Sequence, residues 1–334
     1  MRIFVPACPD SKIRTALSGI IGKMDNTSTG GKPLDPRLTA FCPSEFGTPP
    51  VESCRFQLLP VPLERSVSYG GGTAQGPSAL LRAADELEPV YRKTIPGKAG
   101  VFVQCPLDCA APKDTATLLG DLENRVAQVV GNGQIPILVG GEHTLTQAGV
   151  AGVMSAHHQP LGLIQLDAHA DLRDDYGGDP LSHACVVRRL HERFSLPIVQ
   201  IGVRGMAVEE AHYRTANNIV CFDGPDLARE GVDIICIPDN FPQSVYLTLD
   251  VDVFDASLMP ATGTPSPGGI PWNSLELILD IIVASGREIV GFDIVELSPI
   301  TGFHAAEFTA AAALYACMWA TLMSHEELET LETS

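Results

Sequence analysis

The sequence lacks the features that mark several common protein classes. Its 334 residues contain no run of about 18 uninterrupted apolar residues, which argues against a membrane-spanning helix. The opening stretch, Met1 to Leu17, has no charged segment followed by an apolar block, so we expect no secretion signal. Basic residues are scarce, 22 against 40 acidic ones, and the net charge of −18 argues against a nucleic-acid surface.

Cysteine pairing and internal repetition are also missing. The nine cysteines are odd in number and contain no CxxC pair, so they indicate neither a zinc ribbon nor a disulfide framework. Scattered thiols are typical of a reducing compartment, and we predict a cytoplasmic protein. No period of about 20–50 residues repeats, which excludes a solenoid.

The residues that are present predict one large α/β domain. Hydrophobic residues make up 45% of the chain and charged residues 19%, which is enough for a sizeable core and too little charge for disorder. We expect residues 1–54, which mix Pro, Gly, Ser and Thr around a short helical pattern at Lys12–Met24, to be an N-terminal extension.

From residue 55 onward, short β-rich runs alternate with helix-like stretches. This alternation predicts βαβ units and a parallel sheet that helices cover on both faces. The predicted strands are Phe56–Val61, Val101–Gln104, Ile135–Val139, Leu161–Leu166, Ile198–Val203, Ile219–Phe222, Val245–Leu249 and Ile289–Ile294. The predicted helices are Pro77–Glu88, Asp114–Val130, Thr144–Ala156, His183–Phe194, Ala207–Asn217, Trp272–Ala284 and Ala305–Met323.

Three of these strands run directly into His or Asp residues. The polar residues that follow the three strands are Glu142 and His143, then Asp167, His169 and Asp171, and finally Asp250 and Asp252. Ligands of parallel sheets bind beyond the carboxyl ends of the strands, so all three clusters should emerge at one edge. Residues at i and i+2 of an extended chain point the same way, and each cluster can therefore converge.

Four aspartates in one volume call for cations. They would repel one another and take up protons unless neutralised, and two divalent ions supply the matching charge. Any one of them could instead be a turn former or a helix cap, and a single His a satisfied core residue. Three clusters after three apolar strands favour a dinuclear metal site. Oxygen and imidazole ligands suit Mn²⁺ better than a thiophilic ion, although Zn, Co, Ni and Fe stay open.

The sequence resembles the ureohydrolases, the arginase and agmatinase family, in the order and spacing of four motifs. They are GGEHTLT at Gly140–Thr146, DAHADLRDDY at Asp167–Tyr176, SHA at Ser182–Ala184 and DVDVFDASLMPATGTPSPGG at Asp250–Gly269. The resemblance runs from about Phe56 to about Leu322 and is closest to the agmatinase branch, which also shows the late GFDIVELSPI. It implies an arginase-like α/β fold: a single domain of three layers, α/β/α, around an eight-stranded parallel sheet, with residues 55–334 as the catalytic domain.

The resemblance also implies the ligands of two metal ions, for which Mn²⁺ is the family expectation. One ion would be held by His143, Asp167, Asp171 and Asp250, and the other by Asp167, His169, Asp250 and Asp252. Asp167 and Asp250 would bridge the two ions. Glu142 departs from the family pattern, since many relatives have Asp there, and we interpret it as a change in how a neighbouring backbone or water is held.

Three residues receive catalytic roles from the same resemblance. Asp171 would relay a proton, His183 would shuttle it to solvent or to the leaving group, and Glu296 would pair with the substrate guanidinium. Without the family match, His183 could be an ordinary residue at a helix start and Glu296 a surface residue at a strand end. Asp293 lies within a predicted strand and would be a buried structural acid.

The implied reaction is hydrolysis of a guanidino group to urea and an amine, with agmatine to putrescine as the first choice, a step of polyamine biosynthesis. Arg173 and the SHA segment stand where an arginase shows a different loop, which argues against arginine. Asp174, Asp175 and Asp179 could meet the distal ammonium of agmatine, or they could be solvated loop acids.

Other functions stay open at this point. The same site could hydrolyse guanidinobutyrate or free guanidine, the chain could be an inactive homologue that acts as a binding subunit, or it could be a deacetylase-like enzyme with one zinc ion. The glycine-rich segment Tyr69–Pro77 lacks the Lys-Ser/Thr ending of a phosphate loop, and we expect it to border the substrate, with Ala261–Gly269 as the site floor. We expect a small cationic guanidino substrate, no nucleic acid, no membrane, and a homo-oligomer, a trimer or hexamer.

Overall fold

Eight strands form one parallel sheet in the computed structural model, which describes residues 39–330. The strands are β1 (Phe56–Val61), β2 (Val101–Val103), β3 (Ile135–Gly140), β4 (Leu161–Leu166), β5 (Ile198–Ile201), β6 (Val220–Phe222), β7 (Ser244–Asp250) and β8 (Glu288–Val295). Their order across the sheet is β2-β1-β3-β8-β7-β4-β5-β6, and every pairing is parallel. The predicted fold and all eight predicted strands are confirmed.

Helices connect the strands much as the sequence predicts. The longer ones are Gly76–Ala84, Thr115–Gly131, Thr146–His157, Val186–Phe194, Val208–Ala216, Trp272–Ala284 and His304–Ser324. Two short helices, Pro43–Phe46 and Gly224–Glu230, were not predicted, because one or two turns are too short for a helical period to show. The helical pattern at Lys12–Met24 and the opening stretch Met1–Leu17 lie outside the described residues.

The core lies on both faces of the sheet. Successive strand residues point to opposite faces, so Leu58 and Ile137 join one buried cluster while Leu59 and Leu138 join the other. The first cluster is covered by Gly76–Ala84, Trp272–Ala284 and His304–Ser324, and the second by Thr115–Gly131, Thr146–His157 and Val186–Phe194. The predicted covering of both faces is confirmed.

Residues 39–54 contribute to this core as well. Phe41 and Cys42 are buried in the first cluster, and the Cys42 thiol lies 2.7 Å from the carbonyl oxygen of Ala84. The boundary between extension and catalytic domain after residue 54 stays a prediction.

One helix could cross a membrane by length and apolar composition alone. It is His304–Ser324, and 72% of its most apolar 18-residue window is buried inside the protein. Its buried residues pack in the first core cluster, against the sheet and the neighbouring helix Trp272–Ala284. It is therefore a core helix in this fold.

The middle of the sheet positions the site. The strands β3, β8, β7 and β4 are consecutive neighbours, so their carboxyl ends form one unbroken edge. The chain passes from β3 to β4 across a gap that β7 and β8 fill later, and such a switch in strand order opens a crevice at the carboxyl edge. The three polar clusters and Glu296 all follow these four strands.

Candidate metal centre

The six predicted ligands meet at this edge, but tight turns rather than extended chain bring them together. Asp250 ends β7, and its Oδ1 accepts a hydrogen bond from the backbone N–H of Asp252 at 2.8 Å, within the 3-10 turn Val251–Val253. Asp167 Oδ1 accepts in the same way from His169 N at 2.6 Å. Asp171 has a φ of 53°, in the left-handed region. Our argument from extended i, i+2 spacing was therefore wrong in its geometry, because these carboxylates cap their own turns.

Two groups of potential ligands share one aspartate. His143, Asp167 and Asp171 each offer a ligand atom within 4.8 Å of the others, and Asp167, His169 and Asp252 form a second such group. The shared Asp167 suits the bridging position. Asp250 approaches the first group, since its Oδ2 lies 3.5 Å from His143 Nδ1. The structure thus brings together all six predicted ligands, while their assignment to particular ions stays a prediction.

His143 shows that this cluster fits metal ions. Its Nδ1 is buried and has no hydrogen-bond partner among the described residues, although carboxylate oxygens of Asp167, Asp171 and Asp250 lie 3.2, 3.0 and 3.5 Å away. A buried nitrogen surrounded by carboxylate oxygens without a hydrogen bond is in the position of a ligand beside other ligands. The donor set of imidazole and carboxylate fits Mn²⁺ and related divalent ions.

The charges of the cluster are out of balance without cations. Burial raises the pKa of Asp250 well above its usual range, and the nearby Asp252 and Asp167 raise it further. Burial lowers the pKa of His169, but Asp252 outweighs this effect and raises that pKa to about 10. Without cations, the cluster would thus retain protons at neutral pH. Divalent ions would displace them, because they stabilise the ionised carboxylates and the neutral imidazoles.

A buried polar chain behind His143 fixes which ring nitrogen faces the cluster. His143 Nε2 lies 2.7 Å from Thr248 Oγ1, and the Thr248 hydroxyl donates to Asp293 Oδ1 at 2.6 Å. Because the single hydroxyl proton is used in the bond to Asp293, Nε2 is the donor to Thr248. Thr146 holds the other oxygen of Asp293 at 2.9 Å. The proton on Nε2 leaves the Nδ1 lone pair free for a metal ion. Asp293 lies within β8 and is fully buried, as predicted for a structural acid.

Replacing Thr248 by valine should weaken Mn²⁺ binding by roughly 10–100-fold, the usual effect of removing a partner of a ligating histidine. Valine keeps the shape of threonine but leaves the buried Nε2–H without an acceptor. Thr146→Val is the matched control, because the Thr146 hydroxyl also bonds Asp293 and lies 3.4 Å from that of Thr248, whereas among the described residues no hydrogen bond joins it to the His143 imidazole. Titration of the chelated proteins with Mn²⁺ in a calorimeter measures the difference, and equal losses in the two variants would contradict it.

Arg204 is a residue of the site that the sequence analysis missed. Its guanidinium donates to backbone carbonyls of two loops, including those of Asp252 at 2.6 Å and Ser266 at 2.8 Å. It therefore ties the turn that carries Asp252 to the loop Ala261–Gly269. A signal was available, because Arg204 directly follows the predicted strand Ile198–Val203 at the same carboxyl edge.

Glu296 lies where the sequence places it, directly after β8. Its Oε1 accepts a hydrogen bond from the backbone N–H of His143 at 2.7 Å, and its own backbone has a φ of 65°. Burial raises the pKa of Glu296 to about 8. Its carboxylate lines the same cavity as His143 and Asp171, so a bound cation at Oε2 would compensate for its burial.

His183 lies in the 3-10 turn His183–Cys185, and it also lines the cavity. Burial lowers the pKa of its imidazole. The preceding Ser182 caps the turn, since its hydroxyl accepts from the backbone N–H of Ala184 at 3.4 Å. The structure therefore combines the two interpretations of this segment, a capped helix start and a histidine that faces the site.

The cavity measures about 310 Å³, and His143, Asp171 and Asp252 of the cluster are among the residues that line it. Val67–Gly70 and Gly263–Thr264 line the cavity, so two residues of each predicted loop border it, and the role of Ala261–Gly269 as the site floor stays a prediction. The two loops touch at Gly70, whose N–H donates to the carbonyl of Gly263 at 3.1 Å. Tyr176 and Arg173 also line the cavity, which was not predicted.

Three loop acids do not reach this cavity. Asp174 is paired with Arg189 at 2.7 Å, while Asp175 and Asp179 accept backbone hydrogen bonds within their own loop. The suggested contact of these acids with the distal ammonium of agmatine is therefore not supported. The alternative, that they are acids of a surface loop, fits their contacts better. The nearer acid is Glu210, which is buried, lines the cavity and accepts from Leu172 N at 2.9 Å.

Several proteins that are similar to this chain in sequence or in fold are named as ureohydrolases or agmatinases. The family model that matches residues 54–322 describes the Arginase family. An N(1)-aminopropylagmatine ureohydrolase of Synechocystis is 33% identical over 276 residues, which cover 78% of this chain and 87% of that protein. An agmatinase of Pyrococcus horikoshii is 30% identical over 275 residues, 81% of this chain and 93% of that protein. The crystal structure of an agmatine ureohydrolase of Thermoplasma volcanium has a TM-score of 0.70 at 26% identity, covering 83% of this chain and 92% of that one.

Proposed function

This chain belongs to the arginase family and is a ureohydrolase of the agmatinase type, a hydrolase of guanidino C–N bonds, and from this premise we propose that it converts agmatine to urea and putrescine with two Mn²⁺ ions. The observation that carries the proposal is the position of Glu296 in one cavity with the two groups of metal ligands that share Asp167. A guanidinium held by Glu296 would lie beside the ions held by these metal ligands.

Glu296 binds and orients the substrate in this proposal. One of its oxygens is fixed by the backbone N–H of His143, so the carboxylate has a defined direction before substrate arrives. A guanidinium presents paired N–H donors to a carboxylate, which fixes its plane as well as its position. Glu296 therefore decides which face of the guanidino carbon is turned toward the metal ligands.

The nucleophile and the leaving amine both involve proton movement. When bound, two divalent ions supply a hydroxide at neutral pH and stabilise charge that develops on oxygen. The carboxylate of Asp171 accepts a proton at one oxygen and passes it toward the leaving nitrogen. His183 carries protons between the cavity and solvent at its imidazole nitrogens, because its lowered pKa keeps the ring neutral near pH 7.

The charge of the cavity favours a substrate with a cationic tail. Beyond the metal ligands, Glu296 and Glu210 line the cavity wall. The cationic Arg173 is flanked by Glu209 at 3.7 Å and Glu210 at 3.8 Å, so it does not make the mouth net positive. An ammonium is therefore attracted along the cavity, whereas the carboxylate of guanidinobutyrate meets an acidic wall.

N(1)-aminopropylagmatine is the second candidate substrate, because several relatives that are 32–34% identical are named for its hydrolysis. It carries the same guanidino group as agmatine on a longer cationic chain. Tyr69 lines the cavity and is exposed, so a longer tail can leave the cavity toward solvent beside its ring.

Urea release from agmatine by the Mn²⁺-reconstituted protein tests the proposal. We expect turnover of agmatine or N(1)-aminopropylagmatine at least about tenfold above that of arginine, guanidinobutyrate and guanidine, since one unpaired charge costs over 1 kcal/mol. The chelated protein is the control. If the protein hydrolyses only another guanidine, the proposed substrate is wrong. If it releases no urea from any guanidine, the chain is better explained as an inactive homologue that acts as a binding subunit.

Location and assembly complete the proposal. Seven cysteines within residues 39–330 are free thiols, which supports a cytoplasmic enzyme; they are Cys42, Cys54, Cys109, Cys185, Cys221, Cys236 and Cys317. We also propose a homo-oligomer, a trimer or hexamer, that acts on a small cationic guanidino compound and binds neither nucleic acid nor membrane.

A further inference from the structure

Two segments that are 117 residues apart in sequence meet beside the cavity. One is the β1 loop, defined here as Leu63–Gly70, and the other is the turn that begins at His183. Ser66 Oγ accepts a hydrogen bond from the backbone N–H of His183 at 2.9 Å and lies 3.4 Å from Nδ1 of the same residue. Among the described residues, no other hydrogen bond reaches the His183 imidazole. Ser66 is therefore its polar neighbour within the protein.

Ser66 is itself held in place by Glu142. One carboxylate oxygen of Glu142, Oε2, accepts from the backbone N–H of Ser66 at 2.6 Å and from that of Arg65 at 2.7 Å. Glu142 is 0% exposed, so these two bonds are shielded from water. Charge-assisted bonds to a buried carboxylate are among the stronger ones in proteins. They fix the β1 loop at one point.

The backbone beside Glu142 strengthens this attachment. Glu142 N donates to the carbonyl of Leu63 at 2.8 Å. At Gly141 the chains are so close that a Cβ would lie 1.9 Å from the same carbonyl oxygen, a distance that no side chain tolerates. The β1 loop is thus fastened to the end of β3, directly before the ligand His143.

We propose that Glu142 and Ser66 are positioning residues that set the His183 imidazole against the cavity. The path runs from the rigid end of β3 through the Glu142 carboxylate to Ser66 and then to His183. It gives a role to the buried carboxylate of Glu142 and holds the proton carrier in the cavity that Glu296 also lines. The proposal deepens the proposed function and rests on it for the catalytic role of His183.

Ser66→Ala should lower kcat for the accepted guanidine by about tenfold with little change in KM, part of the roughly 10²–10⁴-fold that a positioned acid–base group contributes. Ser66→Thr keeps the hydroxyl and should restore most of the rate. A double-mutant cycle with His183→Ala separates positioning from general damage. If Ser66 acts through His183, its replacement costs little once His183 is gone. Ser78→Ala is the control, because it removes a half-buried serine hydroxyl on the next helix that does not line the cavity.

Hydrogen exchange followed by mass spectrometry tests the path without activity. In metal-free protein, Ser66→Ala should speed exchange of the His183 amide and leave the Arg65 and Ser66 amides protected. Glu142→Gln weakens the first link, so it should speed exchange at all three positions. These patterns differ because the path runs from Glu142 through Ser66 to His183. Each amide is expected to lose protection only when a hydrogen bond nearer to Glu142, or its own, is broken.

The outcomes are distinct. An equal cost of Ser66→Ala with and without His183, or unchanged exchange of the His183 amide, would overturn the positioning role while leaving the enzyme as proposed. If the unmodified Mn²⁺-loaded protein releases no urea from any guanidine, both the proposed function and the kinetic role of Ser66 are wrong. Non-additive kinetics together with the ordered exchange would support the path.

Discussion

Asp250→Asn should reduce urea release by on the order of 10³-fold or more, because two metal ions supply several kcal/mol of catalysis and this carboxylate is proposed to hold both. Asparagine has the same shape but no charge, so it is a poor ligand for a hard cation. Urea release by the Mn²⁺-loaded variant gives the measurement. Asp239→Asn makes the same chemical change at an exposed position outside the cavity, and it should be silent.

The same substitution should affect stability in opposite senses with and without metal. In the chelated protein, burial and the neighbouring carboxylates raise the pKa of Asp250, so its charge is costly and asparagine removes that cost. The chelated variant should therefore melt no lower than the chelated parent. Mn²⁺ should raise the Tm of the parent by mass action and that of the variant much less. A variant that keeps both the activity and the full Mn²⁺-dependent rise would remove Asp250 from the ligand set.

The sequence predicts the strands of this fold well because each is an apolar run flanked by polar turns. β1 and β4 have the predicted bounds, and the other strands differ at their ends by one or two residues. Parallel strands buried on both faces are continuous hydrophobic segments, which makes them visible in a single sequence. Helix starts are less visible: the predicted helix at Thr144–Ala156 begins at Thr146, because the preceding residues His143–Leu145 form a 3-10 turn.

The candidate site is predictable where its residues share a strand end and obscure where contacts are distant in sequence. Asp167 and Asp250 follow apolar runs, so a rule about sheet edges finds them. Thr248 gives no such signal, because it is one of several polar residues within strands and acts only through its partners His143 and Asp293. Ser66 lies in a loop without a spacing motif. Their roles depend on hydrogen bonds across 45 to 117 residues of chain, which no local pattern encodes.

The structure brings the predicted ligands together, but the prediction contained a wrong geometric step. We expected Asp250 and Asp252 to converge as neighbours on one side of an extended strand. The chain instead enters a 3-10 turn after Asp250, and the Asp250 side chain caps it. Asp at a strand end favours such turns, so the residue that we weighed as either turn former or ligand fits both descriptions. The two alternatives were not exclusive.

Glu296→Gln should lower kcat/KM by roughly 10²–10³-fold, since leaving a buried cation without its partner costs about 3–5 kcal/mol. Glutamine can still accept the hydrogen bond from His143 N through its amide oxygen, so the turn at φ 65° is preserved. What it loses is the charge that pairs with a guanidinium and one of the two acceptor oxygens. Steady-state kinetics with the accepted guanidine measure the loss, and we expect it mainly in KM.

Metal binding separates this variant from Asp250→Asn. Because Glu296 is not among the proposed ligands, the Mn²⁺-dependent rise in Tm should be retained while the substrate is lost. Glu288→Gln makes the same change at the opposite end of β8 and should leave both properties intact. Loss of the Mn²⁺ response in Glu296→Gln would make Glu296 part of the metal site. An unchanged kcat/KM would mean that the guanidinium binds elsewhere in the cavity, and Glu210 would then be the next carboxylate to replace.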